Sequence, residues 1–279
     1  LGPSPIVEAA VPAGDYLLRV VAAERPPVVH AIRLEREGRH ACHLIVPEAM
    51  PAGCCYVPGG PVIVGGDAHA LDAFPATRVH VGGFIATRHP ITNAEFIAFL
   101  DDLVAHGRAD EAARHAPRES VGGVTGSVLG RDAAGRFVLR TDGEGVAWTP
   151  DTPVVQITWH AAVAYCDWMA ARTGLPWRLP HEVEWEKAAR GADRRIHPYG
   201  LRGLGGNVRD WCLNVWRPEA PSDPLSLDAP TDDALRAARG GSYVSLAPMC
   251  RAATRFAAPP DRAFSAVGFR MACTWPPPG

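Results

Sequence analysis

Apolar and polar positions follow two different periods along this chain. Aliphatic and β-branched residues run through 16–21 and Val28–Leu34, with turn-forming residues at 12–15 and 36–39. This pattern predicts two short strands. We therefore expect residues 1–52 to form a small β-rich leader module, followed by a main domain over 53–279.

Helical spacing appears in three places. Residues 92–105 open with a Thr/Asn cap followed by Glu95, and residues 159–173 end at Gly174. A third, short helix is predicted to start at Pro180. The chain also holds 28 glycines and 27 prolines, which places much of the remainder in loops and short strands. The predicted fold class is α+β.

Composition excludes several kinds of protein. The net charge of -2 and the pI near 6.6 give no basic face for nucleic acid. No apolar run approaches the roughly 20 residues of a membrane helix, so no membrane partner is expected. Seven cysteines lack a Cys-x-x-Cys pair, and the first residues lack the pattern of a secretion signal. These features favour a reducing compartment, and we expect a cytoplasmic protein.

Three carboxylates surround one tryptophan. Glu182, Glu184 and Glu186 flank Trp185, and such a group can perform acid–base chemistry or hold a metal. We favour a structural role, in which Arg178 forms an ion pair with Glu182 or Glu186. The histidines show no metal-binding spacing. His40 and His43 lie in the leader and are expected to be solvated or structural.

Separate motifs resemble one known family. Arg-Gly-Gly-Ser-Tyr-Val-Ser at 239–245 and Gly-Phe-Arg at 268–270 are similar to the closing signature of the formylglycine-generating-enzyme (sulfatase-modifying factor) domains. The resemblance extends to Gly-Gly-Pro-Val-Ile-Val-Gly-Gly-Asp at 59–67, Trp-Arg-Leu-Pro-His-Glu-Val-Glu-Trp-Glu-Lys at 177–187 and Gly-Asn-Val-Arg-Asp-Trp at 206–211. It implies a C-type-lectin-type fold, with Trp177, Trp185 and Trp211 buried in its core.

The resemblance also bears on catalysis. Enzymes of this family carry one cysteine three residues after the Gly-Gly-Ser serine and another about five residues later, and both thiols bind a metal that activates oxygen. Here the first position is Ser245, and we expect the second to be lost in a deletion. A hydroxyl cannot replace a soft thiolate. We therefore expect no catalytic residue, and we expect Cys250 to be an inert thiol in a buried strand.

A calcium site is the other implied feature. In family enzymes the stretch around Asn207 and Asp210 helps to bind a structural calcium ion. This chain departs from that pattern, since Asp210 stands where glutamate is usual, Gly203 replaces an amide and Arg209 replaces an aromatic residue. The departures argue against calcium, and no cofactor is expected.

The C-terminal segment is predicted to form a ligand-binding surface. It carries apolar groups where relatives show polar or charged residues, and exposed apolar patches usually mark partner surfaces. Burial of Phe256 and Phe264 in the core is the alternative, whereas a surface position predicts that serine at 244, 246 and 264 leaves stability unchanged. The predicted residues are Tyr243, Val244, Ser245, Leu246, Phe256, Arg262, Phe264 and Ser265.

The expected function is non-catalytic binding of an unknown protein or small-molecule ligand. Similar domains lie behind bacterial serine/threonine kinases, so an upstream kinase domain is one expected context. Others are variable proteins of diversity-generating retroelements. Two alternatives stay open: a thiol-dependent formylglycine-generating oxidase acting on sulfatase cysteines, and a purely structural spacer.

Overall fold

Helices and short strands alternate along the chain, which confirms the α+β class. The structure is a computed structural model that describes residues 5, 9–42, 44–118, 127–141, 145–190, 199–219 and 233–276. Its helices are α1 (Asn93–Ala105), α2 (Ala109–His115), α3 (Trp159–Thr173) and α4 (Glu182–Arg190). Its strands are β1 (Gly14–Val20), β2 (Val28–Leu34), β3 (Cys54–Val57), β4 (Gly60–Val64), β5 (Thr77–Val81), β6 (Phe84–Thr87), β7 (Leu129–Arg131), β8 (Phe137–Leu139), β9 (Arg209–Val215), β10 (Arg236–Arg239), β11 (Arg255–Ala258), β12 (Val267–Gly268) and β13 (Ala272–Thr274).

Within the described residues, the strands form five small sheets. The largest has the order β11–β10–β9–β12, in which β12 runs parallel to β9 and the other pairs are antiparallel. A second sheet has the order β13–β6–β3, so the end of the chain returns to pair with early strands. The pairs β1–β2, β4–β5 and β7–β8 are antiparallel hairpins. None of the helices within the described ranges has the length and apolarity needed to cross a bilayer.

Local signals account for the two long helices. Thr92 caps α1 through a capping box, because its hydroxyl accepts from the Glu95 amide at 3.3 Å and the Glu95 carboxylate accepts from the Thr92 amide at 2.8 Å. The Thr158 hydroxyl caps α3 by accepting from the Ala161 amide at 3.1 Å, and Gly174 ends this helix in the left-handed conformation with φ 70°. Both helices confirm the sequence prediction, whereas α2 was not predicted.

The leader hairpin packs against the rest of the chain. Val28 and Ala31 of β2 are 1% and 2% exposed, and each joins a core cluster built mainly from residues beyond position 53. The strand prediction for the leader is confirmed. A domain boundary between residues 52 and 53 stays a prediction. Through Val28 and Ala31, the leader hairpin shares its core with residues beyond position 53.

All nine residues of α4 are buried, although five of them carry charge. Burying a charge is unfavourable unless it is paired, so each carboxylate needs a cationic partner. Glu184 receives two hydrogen bonds of 2.7 Å from Arg178. Glu182 receives bonds of 2.7 and 2.9 Å from Arg255. Glu186 pairs with both Arg190 and Arg239.

This pattern confirms the structural role and corrects one partner. Arg178 binds Glu184, rather than Glu182 or Glu186, because those two carboxylates are taken by arginines of β10 and β11. Burial alone would raise the pKa of Glu182, but the hydrogen bond from Arg255 and the charge of Arg239 lower that pKa below its ordinary value. The three carboxylates of α4 therefore stabilise the fold through ion pairs with arginines.

The three motif tryptophans are buried as predicted. Trp177, Trp185 and Trp211 are 5%, 1% and 0% exposed. The Trp185 indole donates to the Asp210 carboxylate at 2.8 Å, and Arg270 donates to the same oxygen at 2.6 Å. Trp185 thus links α4 to β9 and to the Gly-Phe-Arg motif.

Lys187 gives the fold a pH dependence. Its ammonium is buried and donates to the carbonyls of Gly60 at 3.0 Å and Val81 at 3.3 Å, while burial lowers its pKa from 10.5 to about 7. A lysine whose pKa is lowered by folding destabilises the protein at low pH, and stability rises as pH increases from about 7 towards the unfolded value.

Lys187→Met removes this titration. Between about pH 6 and about pH 9, the wild-type chain should gain roughly 2 kcal/mol of unfolding free energy relative to the variant. Urea denaturation of both proteins across that range measures the difference. Parallel pH curves would mean that the Lys187 ammonium keeps its ordinary pKa.

Candidate functional site

The candidate site begins where β10 ends in two glycines. Gly240 has φ 90°, a conformation that disfavours other residues, and a Cβ there would lie 2.9 Å from Cζ2 of Trp185. A Cβ on Gly241 would lie 2.7 Å from Sγ of Cys250. The glycines therefore let the following loop, residues 242–250, turn tightly over the core.

Ser245 lies at the centre of a hydrogen-bond network. Its hydroxyl oxygen is 2.8 Å from the Ser242 hydroxyl and accepts from the Ser242 amide at 2.9 Å. It also accepts from Nη2 of Arg209 at 3.0 Å. These contacts hold Ser245 as a structural acceptor, and a cationic neighbour stands beside the position that the family enzymes give to a thiol.

Arg209 connects this loop to the sheet. Its guanidinium stacks 3.5 Å from the centre of the Phe256 ring, and its Nε donates to the Gly240 carbonyl at 3.2 Å. Burial lowers the pKa of Arg209 below its ordinary value, although the group stays charged. The sequence marks Arg209 only as a departure from the calcium motif, because the partners of Arg209 lie about 30 or more residues away.

Cys250 corrects two expectations. It is the fifth residue after Ser245, so by the motif's spacing it falls at the second thiol position and that position is not deleted. It lies at the end of a 3₁₀ helix, Ala247–Cys250, rather than in a buried strand, and its side chain is partly exposed. Its sulfur is 3.9 Å from the Ser245 carbonyl. The spacing of the motif in the sequence already identifies this position without the structure.

One thiol and one hydroxyl do not fit the copper that a two-thiol site would hold. Cys250 supplies a soft ligand, but the Ser245 oxygen is already engaged by Ser242 and Arg209. The nearby arginine also opposes a cation. The residues present therefore do not support the family's oxygen-activating centre.

Three large side chains project from the loop. Tyr243, Val244 and Leu246 are 53%, 66% and 72% exposed, among the most exposed apolar residues of the described chain. Their backbone is held in place, because the Tyr243 amide donates to Asn207 at 2.8 Å and the Met249 amide donates to Leu246 at 2.9 Å. We call these three residues the exposed triplet.

The remaining predicted surface residues divide into two groups. Phe256 and Phe264 are half-buried and pack on the main core cluster, with the Phe264 ring 6.1 Å from that of Trp211. Ser265 lies at the edge of the loop, where its carbonyl accepts from the Tyr243 hydroxyl at 3.2 Å. Arg262 is exposed, and no described contact joins its side chain to the loop. Phe264 is thus a core-packing residue, so its replacement is not expected to be neutral.

The two calcium candidates, Asn207 and Asp210, differ in how deeply they are buried. Asp210 is fully buried, and one of its oxygens already accepts from Arg270 and Trp185. The Arg270 guanidinium neutralises the carboxylate and would repel a cation. Asn207 is only partly buried, and its backbone pairs with Ser242. These two residues do not form the oxygen-rich shell that calcium prefers.

The family is established by sequence comparison. Residues 45–197 and 195–275 match the sulfatase-modifying factor enzyme 1-like domain, and the chain belongs to that family. It is 26% identical to the formylglycine-generating enzyme of Thermomonospora curvata over 298 aligned positions, which cover 81% of this chain and 95% of that protein. It is 27% identical to the serine/threonine-protein kinase Pkn1 of Chlamydia trachomatis, covering 91% of this chain but only 42% of the kinase.

Solved structures show the same fold. PvdO from Pseudomonas aeruginosa superposes with a TM-score of 0.58 at 18% identity, covering 79% of this chain and 94% of that one. Treponema denticola variable protein 1 superposes with a TM-score of 0.55 at 16% identity, again covering 79% and 94%. The predicted α+β fold of the formylglycine-generating-enzyme family is confirmed, and its C-type-lectin type stays what the family resemblance implies.

Proposed function

We propose that this chain is a non-catalytic binding domain of the formylglycine-generating-enzyme family. The observation that carries the proposal is Ser245, which occupies the first thiol position and is held there as a hydrogen-bond acceptor by Ser242 and Arg209. The family's reaction needs two thiolates, and this chain has a cysteine at only one of the two positions. The fold is kept, and we infer that it serves a function other than this reaction.

The proposed binding surface is the exposed triplet, together with the rim formed by Arg209 and Ser265. Apolar side chains on a loop anchored to a rigid sheet offer contact area without a folding cost. The charge of Arg209, half-buried against Phe256, adds a donor for an acidic or carbonyl group of the partner. The ligand is a protein segment or small molecule with an apolar face.

A second candidate function is the formylglycine-generating oxidase, and Cys250 is the observation that favours it. Its thiol stands at the second position of the family pair and is partly exposed. Against this, Ser245 offers no thiolate, and the Arg209 cation occupies the space beside it.

We also propose a cellular setting for this chain. All seven cysteines are free thiols, which supports a reducing, cytoplasmic compartment. The likeness to Pkn1 supports a place beside a kinase domain, as a sensor whose loop binds the signal. The variable-protein relative shares the fold, and a diversified loop is the corresponding retroelement proposal.

Replacing the exposed triplet by serine should leave folding intact. Tyr243, Val244 and Leu246 are more than half exposed, and such surface changes cost about 0.5 kcal/mol each or less. Phe264→Ser is the matched comparison, because its half-buried ring packs on the core and its loss should cost about 2 kcal/mol or more. Thermal denaturation of both variants distinguishes them. A triplet variant as unstable as Phe264→Ser would show that the triplet side chains pack in the core.

Partner capture tests the binding role itself. The wild-type chain and the serine triplet variant are each immobilised on a resin and incubated with host-cell extract. The control is Ile63→Ser, which changes a separate apolar residue that is 40% exposed. We expect a specific partner that is retained by wild type and the Ile63 variant and lost by the triplet variant. Identical capture by all three proteins would contradict a binding surface at this loop.

A further inference from the structure

A cluster of metal-binding side chains lies in the leader, away from the loop described above. His30, His40 and Cys42 each present a ligand atom, and these three atoms lie within 4.8 Å of one another. His30 stands on β2, while His40 and Cys42 belong to the irregular segment that follows the hairpin. The segment after β2 folds back, so that His40 and Cys42 lie near His30 although they are 10 and 12 positions away in sequence.

His30 is the unusual member of this cluster. It is only 4% exposed, yet neither of its ring nitrogens has a hydrogen-bond partner among the described residues. A buried imidazole without a partner is costly, since polar atoms in protein interiors are normally satisfied. Its ring lies 5.7 Å from that of His40, so both imidazoles point into the same small space.

We propose that His30, His40 and Cys42 bind a divalent transition metal of the zinc class. Two imidazoles and one thiolate are the ligands that such borderline-soft ions prefer. The metal would satisfy His30, which has no partner in the described structure. His40 and Cys42 are exposed, so the fourth position of a tetrahedral site faces solvent and takes water or an external ligand.

The geometry requires only a small movement. Neighbouring ligand atoms in a tetrahedral zinc site lie about 3.5 Å apart, and the atoms here all lie within 4.8 Å of one another, so they need to approach by about 1.3 Å at most. The irregular segment that carries His40 and Cys42 can supply this movement, whereas His30 is fixed by β2. His43 lies outside the described residues and is not part of the proposed site.

Cobalt titration tests the site. The full-length, reduced, chelator-treated chain is titrated with Co²⁺, whose thiolate complex gives a charge-transfer band, and zinc is then added to displace it. We expect one equivalent to bind with a thiolate band. Cys42→Ser should abolish the band, and His40→Ala should weaken binding by at least about tenfold. Both residues are exposed, so these variants are expected to fold.

Controls keep the test decisive. His80→Ala removes an exposed histidine elsewhere, and Cys250→Ser removes the other accessible thiol. Neither should change the band. His30→Gln, checked for folding by circular dichroism, should reduce affinity like His40→Ala. The proposal is overturned if no cobalt binds, if the band survives in Cys42→Ser, or if it disappears in Cys250→Ser.

Discussion

Replacing Glu186 by glutamine is expected to lower the free energy of unfolding by about 3–5 kcal/mol. The Glu186 carboxylate is buried and pairs with Arg190 and Arg239, and it also accepts from the Gly65 amide at 2.8 Å. Removing its charge leaves two buried guanidinium groups with less compensation, and Arg239 is 0% exposed. Urea denaturation of the variant measures the loss.

Glu111→Gln provides the matched control. Its carboxylate also pairs with an arginine, Arg108, at 2.7 Å, but at the surface of α2, where solvent screens the pair. We expect at most about 1 kcal/mol for this change. Equal effects of the two substitutions would show that the buried cluster around α4 does not hold the fold together.

Truncating Trp185 to alanine should destabilise the chain by about 3–5 kcal/mol. The indole is 1% exposed, packs under Gly240 and donates to Asp210, so its loss creates a cavity and removes a hydrogen bond. Because native domains are stable by only about 5–15 kcal/mol, this single change threatens folding at 37 °C.

The exposed-site comparison for Trp185 is Tyr243→Ala. Tyr243 is also a large aromatic residue, but it is 53% exposed, and its loss should lower the melting temperature only slightly. Calorimetric melting of both variants gives the answer. A Trp185 variant that melts within a degree or two of wild type would contradict the burial of α4.

Local signals in the sequence were enough for several elements. The capping box at Thr92 and Glu95 fixes the start of α1, and Gly174 fixes the end of α3, because both act within one turn of the helix. The motif tryptophans were predicted to be buried through the family resemblance. These features need no knowledge of distant parts of the chain.

Long-range partners could not be predicted in the same way. Glu182 and Glu186 are paired by Arg255 and Arg239, which lie 73 and 53 positions away, so the nearby Arg178 was assigned to the wrong carboxylates. Likewise, only the fold reveals that Arg209 stacks on Phe256 and reaches Ser245. Tertiary contacts, rather than propensity, decide these pairings.

The exposure of the candidate surface residues was predicted only in part. Tyr243, Val244 and Leu246 are exposed, and they lie in the loop that turns over the core after two glycines. Phe264 has the same apolar character in the sequence, but its position before β12 directs it against Trp211. Hydrophobicity alone does not separate these two environments, since exposed and buried apolar residues look alike in a sequence.

The central proposal, binding without catalysis, is tested most directly by assaying formylglycine formation. The purified chain is incubated with a Cys-x-Pro-x-Arg peptide, copper and oxygen, and the peptide mass is followed against a no-protein blank. With Ser245 in place of the first thiol, we predict no conversion above the blank. Conversion that is present in wild type and abolished by Cys250→Ser would contradict this account and identify an enzyme.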